Sequence, residues 1–255
     1  MASGESRPFL TASDGRAVLA LLHTSPLHVP VFDALRDEDH PGLALAHLVH
    51  EDLLTRARAE GPDAVAGDVR AVLDQAVAGG AVAVLCTCSS IGGVAEAAAG
   101  EAGVPVLRVD RPMAAAAVAA GPRVVVVATS ESTFGPTVAL VEEEARRAGL
   151  PADVRRLFVD GAWALFQAGD TEGYVRAVAE AVDSVPGDSA DAIVLAQASM
   201  TPARQLTTTA VPVLSSPRPG LAAGAAAVLT VSGGARAGYA GEKSRADAPT
   251  GWRTQ

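Results

Sequence analysis

The stretch AVAVLCTCSSIG, at residues 81–92, joins a short apolar run to small polar residues and then to the start of a helical pattern. A second stretch, DAIVLAQASM at residues 191–200, repeats this order. Short apolar runs of this kind are typical of strands buried in a parallel sheet. The two stretches differ at one place, because Cys88 stands at the strand-to-helix junction of the first and Gln197 holds the comparable place in the second.

Strand-like and helix-like segments alternate along most of the chain, which predicts an α/β fold with parallel strands and right-handed crossovers. The pair Gly121-Pro122 divides this alternation into two halves of four strands each. We therefore expect two similar lobes, each a four-stranded, mainly parallel sheet flanked by helices. The last helix is expected to return to the lobe in which the chain begins.

These patterns give three predicted parts of the chain. Residues 1–118 together with 213–232 form the first α/β lobe, and residues 119–212 form the second. Residues 233–255 are rich in Gly, Ala and charged side chains and show no apolar period, so we expect a disordered tail there.

Composition and charge exclude several classes of protein. Of 255 residues, 49% are apolar and only 4% are aromatic, so the core must consist mainly of Ala, Val and Leu. A formal charge of -9 without a cluster of Lys or Arg argues against a nucleic-acid partner. No run of about 18 apolar residues appears, and the first eight residues are polar, which predicts no membrane span and no signal peptide. We expect a cytoplasmic protein.

Two further kinds of site find no support in the sequence. Neither a Gly-x-Gly-x-x-Gly segment after a strand nor a phosphate-loop lysine is present, so nucleotide binding is not expected. His47 and His50 lie near Glu51 and Asp52, but their spacing matches no metal-ligand signature, and we expect no metal. Cys86 and Cys88 point the same way along an extended strand and are badly placed for a disulfide.

Small polar residues follow four of the predicted strands, and a helix start follows each of them. Ligands of open parallel sheets bind beyond the carboxyl ends of the strands, and helix N-termini favour anions. The same partial positive charge favours a thiolate, which makes Cys88 the candidate catalytic residue. Ser and Thr also cap helices in any α/β protein, so the combination matters more than any one residue. The predicted substrate-binding residues are His23, Thr24, Ser89, Ser90, Thr129, Ser130, Ser132, Thr133, Gln197, Ala198 and Ser199.

Three stretches resemble the aspartate/glutamate racemase superfamily, which includes hydantoin racemases, arylmalonate decarboxylases and maleate isomerases. VLCTCSS at 84–90 resembles its strand-Cys-Asn-Thr segment, and ATSEST at 128–133 resembles its second-half binding loop. IVLAQASM at 193–200 resembles its strand-Gly-Cys-Ala-Gly-Met segment, and the resemblance spans about 16–230. It implies a site in the cleft between two lobes, a small carboxylate substrate, no cofactor and a homo-oligomer.

The resemblance also assigns roles to the cysteines. Racemases of the family use two thiols, one from each lobe, on opposite faces of the substrate. Carried over, Cys88 is the first-lobe thiol and Cys86 is the alternative, while Gln197 replaces the second thiol. An amide neither takes nor delivers a proton near neutral pH. The symmetric two-thiol mechanism is therefore not available to this chain.

Several functions remain open at this point. The first is a cofactor-independent isomerase or racemase that transfers a proton beside a carboxylate with one thiolate. The second is a one-thiol decarboxylase or lyase, as in the arylmalonate decarboxylases. The third is addition of Cys88 to a double bond followed by cis-trans isomerisation, as in maleate isomerases. The fourth is a protein that binds a small acid without turnover.

Overall fold

The computed structural model describes residues 16–246, and the side chains of residues 16–231. Within these residues, eight strands form two separate four-stranded sheets in which all pairings are parallel. The first sheet has the order β2-β1-β3-β4 and the second the order β6-β5-β7-β8. The predicted fold class is confirmed. The strands are β1 Val18–His23, β2 Ala44–Val49, β3 Ala81–Cys86, β4 Val106–Arg108, β5 Arg123–Ala128, β6 Asp153–Phe158, β7 Ala192–Leu195 and β8 Val213–Ser215.

Helices follow nearly every strand. Short 3-10 segments at Pro62–Val65, Glu131–Thr133 and Ala198–Gln205 supplement them. The α-helices are α1 His28–Asp39, α2 Glu51–Glu60, α3 Ala66–Ala78, α4 Ser89–Ala97, α5 Ala99–Ala102, α6 Arg111–Ala120, α7 Phe134–Ala148, α8 Ala162–Gln167, α9 Thr171–Asp183 and α10 Pro217–Ala246. None of the helices between residues 16 and 246 combines the length and the apolar composition that crossing a bilayer requires.

The position of each strand in its sheet explains its sequence. β5 lies between β6 and β7, and its residues 124–128 are all buried because helices cover both faces of the sheet. Val124 and Val126 pack in one apolar cluster, whereas Val125 and Val127 pack in another on the opposite face. β6 is an edge strand, and it carries exposed polar residues instead.

The last helix returns to the first lobe. Leu221 and Val228 of α10 pack in the cluster that contains Leu19 and Leu21 of β1. A Cβ atom at Gly224 would lie 2.8 Å from Leu19 Cδ2, so the backbone of α10 approaches the sheet closely at this point. The lobe assignment of 213–215 needs a correction, however, because β8 pairs with β7 in the second sheet. The chain changes lobe after Ser215 rather than at 213.

The predicted tail also differs from the structure. α10 continues to Ala246, so the backbone of residues 233–246 is helical, and residues 247–255 lie outside the described part. A missing apolar period does not by itself exclude a helix. Alanine, which is frequent here, is the residue that favours a helix most strongly.

Candidate active site

A cavity of about 350 Å³ lies between the two lobes. Its walls come from the carboxyl ends of β1, β3 and β7 with the segments that follow them, and from the helices α2, α8 and α9. The cleft position expected for the site therefore holds a cavity large enough for a small molecule. Of the predicted site residues, those on its wall are Thr24, Cys88, Ser89, Ser90, Thr133, Gln197, Ala198 and Ser199.

The other predicted residues lie outside the lining. His23 is fully buried behind Thr87, and the Thr129 side chain binds Gln197 instead of facing the cavity. Ser130 and Ser132 hydrogen-bond to each other at 3.0 Å on the partly exposed loop after β5. These four residues are therefore not part of the cavity wall.

The two cysteines are both buried in the same apolar cluster of the first lobe, but they differ in their access to the cavity. Cys88 precedes the first residue of α4 and lines the cavity. Cys86 is fully buried in the apolar core of the first lobe, and its thiol donates to the Cys88 carbonyl at 3.6 Å. Burial, reinforced by the neighbouring Cys88, raises the pKa of the Cys86 thiol, which keeps it protonated. Cys88 is thus the thiol that a ligand in the cavity can meet.

Gln197 is held in one orientation. Its side-chain oxygen accepts hydrogen bonds from the Thr129 backbone N–H at 2.8 Å and from the Thr129 hydroxyl at 3.0 Å. A backbone N–H can only donate, so the amide atom that faces it must be the oxygen. The amide NH₂ group is left to meet a ligand, and Gln197 offers the cavity donors only.

A second polar pair on the same lobe was not predicted. The Tyr174 hydroxyl lies 2.8 Å from the Ser199 hydroxyl, and both residues line the cavity. Burial raises the pKa of Tyr174, so the phenol stays protonated near neutral pH. The pair therefore supplies hydroxyl groups for hydrogen bonding, and neither member is a strong base.

The charge on the cavity wall comes from Arg58 of α2, and the lining contains no Asp or Glu. Arg58 forms no ion pair within the described residues, and its guanidinium carbon lies 5.7 Å from the centroid of the Trp163 ring. This cation–π contact joins the first lobe to the second across the cavity. An unpaired guanidinium without carboxylate neighbours favours an anionic ligand.

One side of the cavity is aromatic. Trp163 and Phe166 stack with their centroids 5.1 Å apart, and Phe166 lies 5.1 Å from Tyr174. The spacing of Trp163 and Phe166 within one helix is typical of core or dimer contacts. Both nevertheless line the cavity, together with Tyr174 and Leu54. The wall they form can accept an apolar part of a ligand.

Two polar atoms beside the cavity lack partners. His28 Nδ1 and the Thr201 hydroxyl are buried and make no hydrogen bond with any described residue, although both residues line the cavity. Burial lowers the pKa of His28, so its ring is neutral near pH 7. Unsatisfied buried polar groups are uncommon in folded proteins, and these two are candidates for ligand contact. Nothing in the local sequence signals either of them.

Among residues 16–231, whose side chains the structure describes, no group of three or more His, Cys, Asp or Glu could hold a metal ion. His47 is hydrogen-bonded to His23 at 2.8 Å and to Asp33 at 3.3 Å, both within the first lobe. The histidine near the end of β2 thus belongs to a hydrogen-bond row inside the protein.

His23 gives a prediction for the pH dependence of stability. Burial, with the nearby rings of His47 and His28, lowers the pKa of His23 from 6.5 to about 3. The unfolded chain therefore binds more protons than the folded protein between these two pH values, and the free energy of unfolding falls as the pH drops through this window. We expect His23 to account for a loss of about 2 kcal/mol between pH 7 and pH 5.

Urea unfolding at both pH values measures this loss. His23→Gln, which retains a donor and an acceptor but cannot be protonated, should lose less stability on acidification than the unchanged protein. His40→Gln, which alters a partly exposed histidine at the end of α1, should retain the full loss. Equal losses in all three proteins would contradict the assignment.

Comparisons with known proteins agree with this architecture. Residues 24–224 match the sequence profile of the Asp/Glu/Hydantoin racemase family. Glutamate racemase from Bacillus anthracis is similar in structure, with a TM-score of 0.61 at 16% identity over 85% of this chain and 83% of that one. Aspartate racemase from Picrophilus torridus has a TM-score of 0.61 at 14% identity over 86% and 95% of the two chains.

A third similar structure is unliganded arylmalonate decarboxylase, with a TM-score of 0.53 at 18% identity over 84% of this chain and 92% of that one. At such identities these three structures show a shared fold. No curated protein matches the chain in sequence. The family profile covers most of the chain, and the chain therefore belongs to the Asp/Glu/hydantoin racemase family.

Proposed function

We propose that this protein is a cofactor-independent isomerase or racemase that transfers a proton at a carbon beside the carboxylate of a small acid. Cys88 is the proton-carrying thiol. The observation that carries this proposal is the position of Cys88 in the cavity between the lobes, at a helix start, together with hydrogen-bond donors from the second lobe.

Three features suit the cavity to a carboxylate. No side chain caps the start of α4, so its first backbone N–H groups are available and carry the positive end of the helix dipole. Gln197 contributes an NH₂ group, and Arg58 contributes a positive charge. Acidic residues, which would repel an anion, are missing from the lining.

The aromatic wall narrows the chemical class of the substrate further. Trp163, Phe166 and Leu54 offer an apolar surface that no charged or strongly polar side group would match. The substrate we propose is a small carboxylic acid whose reacting carbon also bears an apolar or aromatic group. Phenylacetate is a simple probe of this class.

The chemistry needs one base and a set of donors. A Cys88 thiolate removes the proton from the carbon, and the electron pair of the broken C–H bond moves onto the carboxyl group. Donors fixed around that group, including Gln197, stabilise the added negative charge in the enolate. The thiol then returns its proton to the carbon, or another donor protonates the opposite face.

Exchange in heavy water tests this proposal. A panel of carboxylic acids with apolar substituents is incubated with the protein, and deuterium at the carbon beside the carboxylate is followed by NMR. Incorporation with loss of optical purity supports the isomerase. Isomerisation of maleate without such exchange would point to addition at a double bond. Binding of an acid without any exchange would indicate a non-catalytic binding protein.

A one-thiol decarboxylase is the second candidate, and the Gln197 orientation favours it. The second lobe presents donors at this position and no base, so Cys88 is the single proton-carrying thiol, which is what a one-thiol decarboxylase requires. In this reaction the bond to one carboxylate breaks, CO₂ leaves, and the remaining enolate takes the Cys88 proton. CO₂ release from a disubstituted malonate, with deuterium on one face of the product, would identify it.

Gln197→Glu tests the part of this proposal that concerns the amide. The substitution keeps an oxygen for Thr129 but replaces the NH₂ group with a second oxygen and adds a negative charge. We expect phenylacetate binding, measured by titration calorimetry, to weaken by about tenfold or more, which corresponds to about 1.4 kcal/mol. Gln75→Glu makes the same change on the exposed face of α3 and should leave binding unchanged. Equal affinity in both variants would rule out a role for the amide in binding.

We also propose a cytoplasmic location and a homo-oligomeric state. Both cysteines are free thiols, which is the state that a reducing compartment maintains. The oligomer follows from the family resemblance alone, and sedimentation measurements would test it.

A further inference from the structure

A row of hydrogen-bonded side chains crosses the first lobe and ends at the cavity. The Asp33 carboxylate lies 3.3 Å from His47 Nε2, and His47 Nδ1 lies 2.8 Å from His23 Nε2. His23 Nδ1 in turn lies 2.8 Å from the Thr87 hydroxyl. Thr87 lines the cavity directly before Cys88, whereas the Asp33 side chain is 40% exposed at the other end. The row thus connects solvent with the cavity.

The hydrogen bonds of this row can all be made in one protonation state. The Thr87 hydroxyl donates to the Leu22 carbonyl at 3.1 Å, so its oxygen accepts from His23 Nδ1–H. His23 Nε2 then accepts from His47 Nδ1–H. The remaining His47 nitrogen faces a carboxylate, which can only accept, so it must also carry a proton. In this state His47 is a cation paired with Asp33.

A second state satisfies the same contacts with one proton fewer. The Thr87 hydroxyl turns and donates to His23 Nδ1, His23 Nε2–H donates to His47 Nδ1, and His47 Nε2–H donates to Asp33. The Leu22 carbonyl loses the hydroxyl but keeps the Thr87 backbone N–H at 2.9 Å. Neither state leaves a buried polar group of the row unpaired, so the protein can pass between them at low cost.

We propose that Asp33, His47, His23 and Thr87 form a proton relay that exchanges one proton with the cavity. The Thr87 hydroxyl gives its proton to an enolate in the cavity and receives the His23 Nδ1 proton. His23 then takes the Nδ1 proton of His47, which leaves both rings neutral. The reverse steps recover the proton. The relay gives the site a second exchangeable proton besides that of Cys88. Only the transfer of this proton to an enolate rests on the proposed function.

The surroundings of the two rings are consistent with this relay. Within the described contacts, the titratable and charged groups that face them are His28, whose ring centroid is 6.1 Å from that of His23, and Asp33, which also pairs with Arg36 at 3.2 Å. Phe32 covers His23 with a centroid distance of 5.6 Å. The lowered pKa of His23, caused mainly by its burial, keeps this ring neutral, so the charge of the relay rests on His47 near the surface.

Nitrogen-15 NMR of protein labelled at histidine tests the relay without a substrate. As the pH rises from 5 to 9, the row should pass from its first state to its second, so His23 should change from the Nδ1–H to the Nε2–H tautomer in the same step in which the His47 Nδ1 proton leaves. His47→Gln should abolish the tautomer change at His23, while His40→Gln should leave it intact. A His23 tautomer that stays constant over this pH range would overturn the proposal.

Asp33→Asn provides a second, milder test. An amide in place of the carboxylate can donate as well as accept, so His47 Nε2 need no longer carry a proton, and the coupled change should occur at lower pH. A change at unaltered pH would contradict the relay. These NMR measurements need no turnover, so they test the relay alone. Failure of the proposed reaction is detected separately, by the heavy-water exchange.

Discussion

Replacing Cys88 by serine is expected to lower the rate of proton exchange beside the carboxylate by about 10³-fold or more. A serine hydroxyl is a far weaker acid than a thiol, so it does not form the anion that removes the proton. The side chain lies at the edge of the cavity, and the replacement is close in size, so the folded structure should persist. Deuterium incorporation from heavy water, at matched concentrations of folded protein, measures the effect.

Cys86→Ala is the matched control for this variant. Cys86 is buried in the apolar core and does not line the cavity, so the exchange rate should remain within a few-fold of the unchanged protein. The lost packing should lower the free energy of unfolding by about 1 kcal/mol. Loss of exchange in the Cys86→Ala variant, with full exchange in the Cys88→Ser variant, would show that Cys86 is the essential thiol.

The largest effect on stability is expected from Asp110→Ala. Asp110 is fully buried and accepts two hydrogen bonds from Arg108, at 2.7 Å to Oδ1 and 2.9 Å to Oδ2. Removing the carboxylate leaves a guanidinium that is 6% exposed without its partner. Breaking a buried pair in this way costs about 3–5 kcal/mol.

This pair also supports the site. A Cβ atom at Gly92 of α4 would lie 3.1 Å from Arg108 Cβ, so Arg108 packs directly against the helix that begins after Cys88. Urea unfolding measures the loss of stability. Asp74→Ala, which removes one exposed partner of Arg70 on α3 and leaves its partner Glu101, should cost about 1 kcal/mol or less. Similar small losses in both variants would contradict a structural role for the buried pair.

Much of the fold could be predicted because its signals are local. The apolar run of β5 indicates a strand covered on both faces, and the glycine and proline residues at 121–122 mark the change of lobe. Of α1 only the start after β1 was predicted, and α2 was not predicted, since both helices carry few buried apolar residues. Phe32 is the one buried residue of α1, and Leu53 and Ala57 are those of α2.

The site was less predictable because its parts meet only through the fold. Cys88 and Gln197 carry a local signal, since each follows a strand and precedes a helical segment. Arg58 lies on a helix that the sequence does not signal, and Tyr174 belongs to the buried face of α9. The contact of His23 with Thr87 spans 64 positions, and no spacing rule for a single element can anticipate it.

Alkylation with iodoacetate tests most directly whether Cys88 is the thiol that a carboxylate reaches. The reagent is itself a small carboxylate, and peptide mass spectrometry of the folded protein identifies the sulfur that it modifies. We expect carboxymethylation of Cys88 alone, slowed by phenylacetate and accompanied by loss of proton exchange. Modification of Cys86 before Cys88, or no reaction of either thiol until the protein is unfolded, would contradict the account.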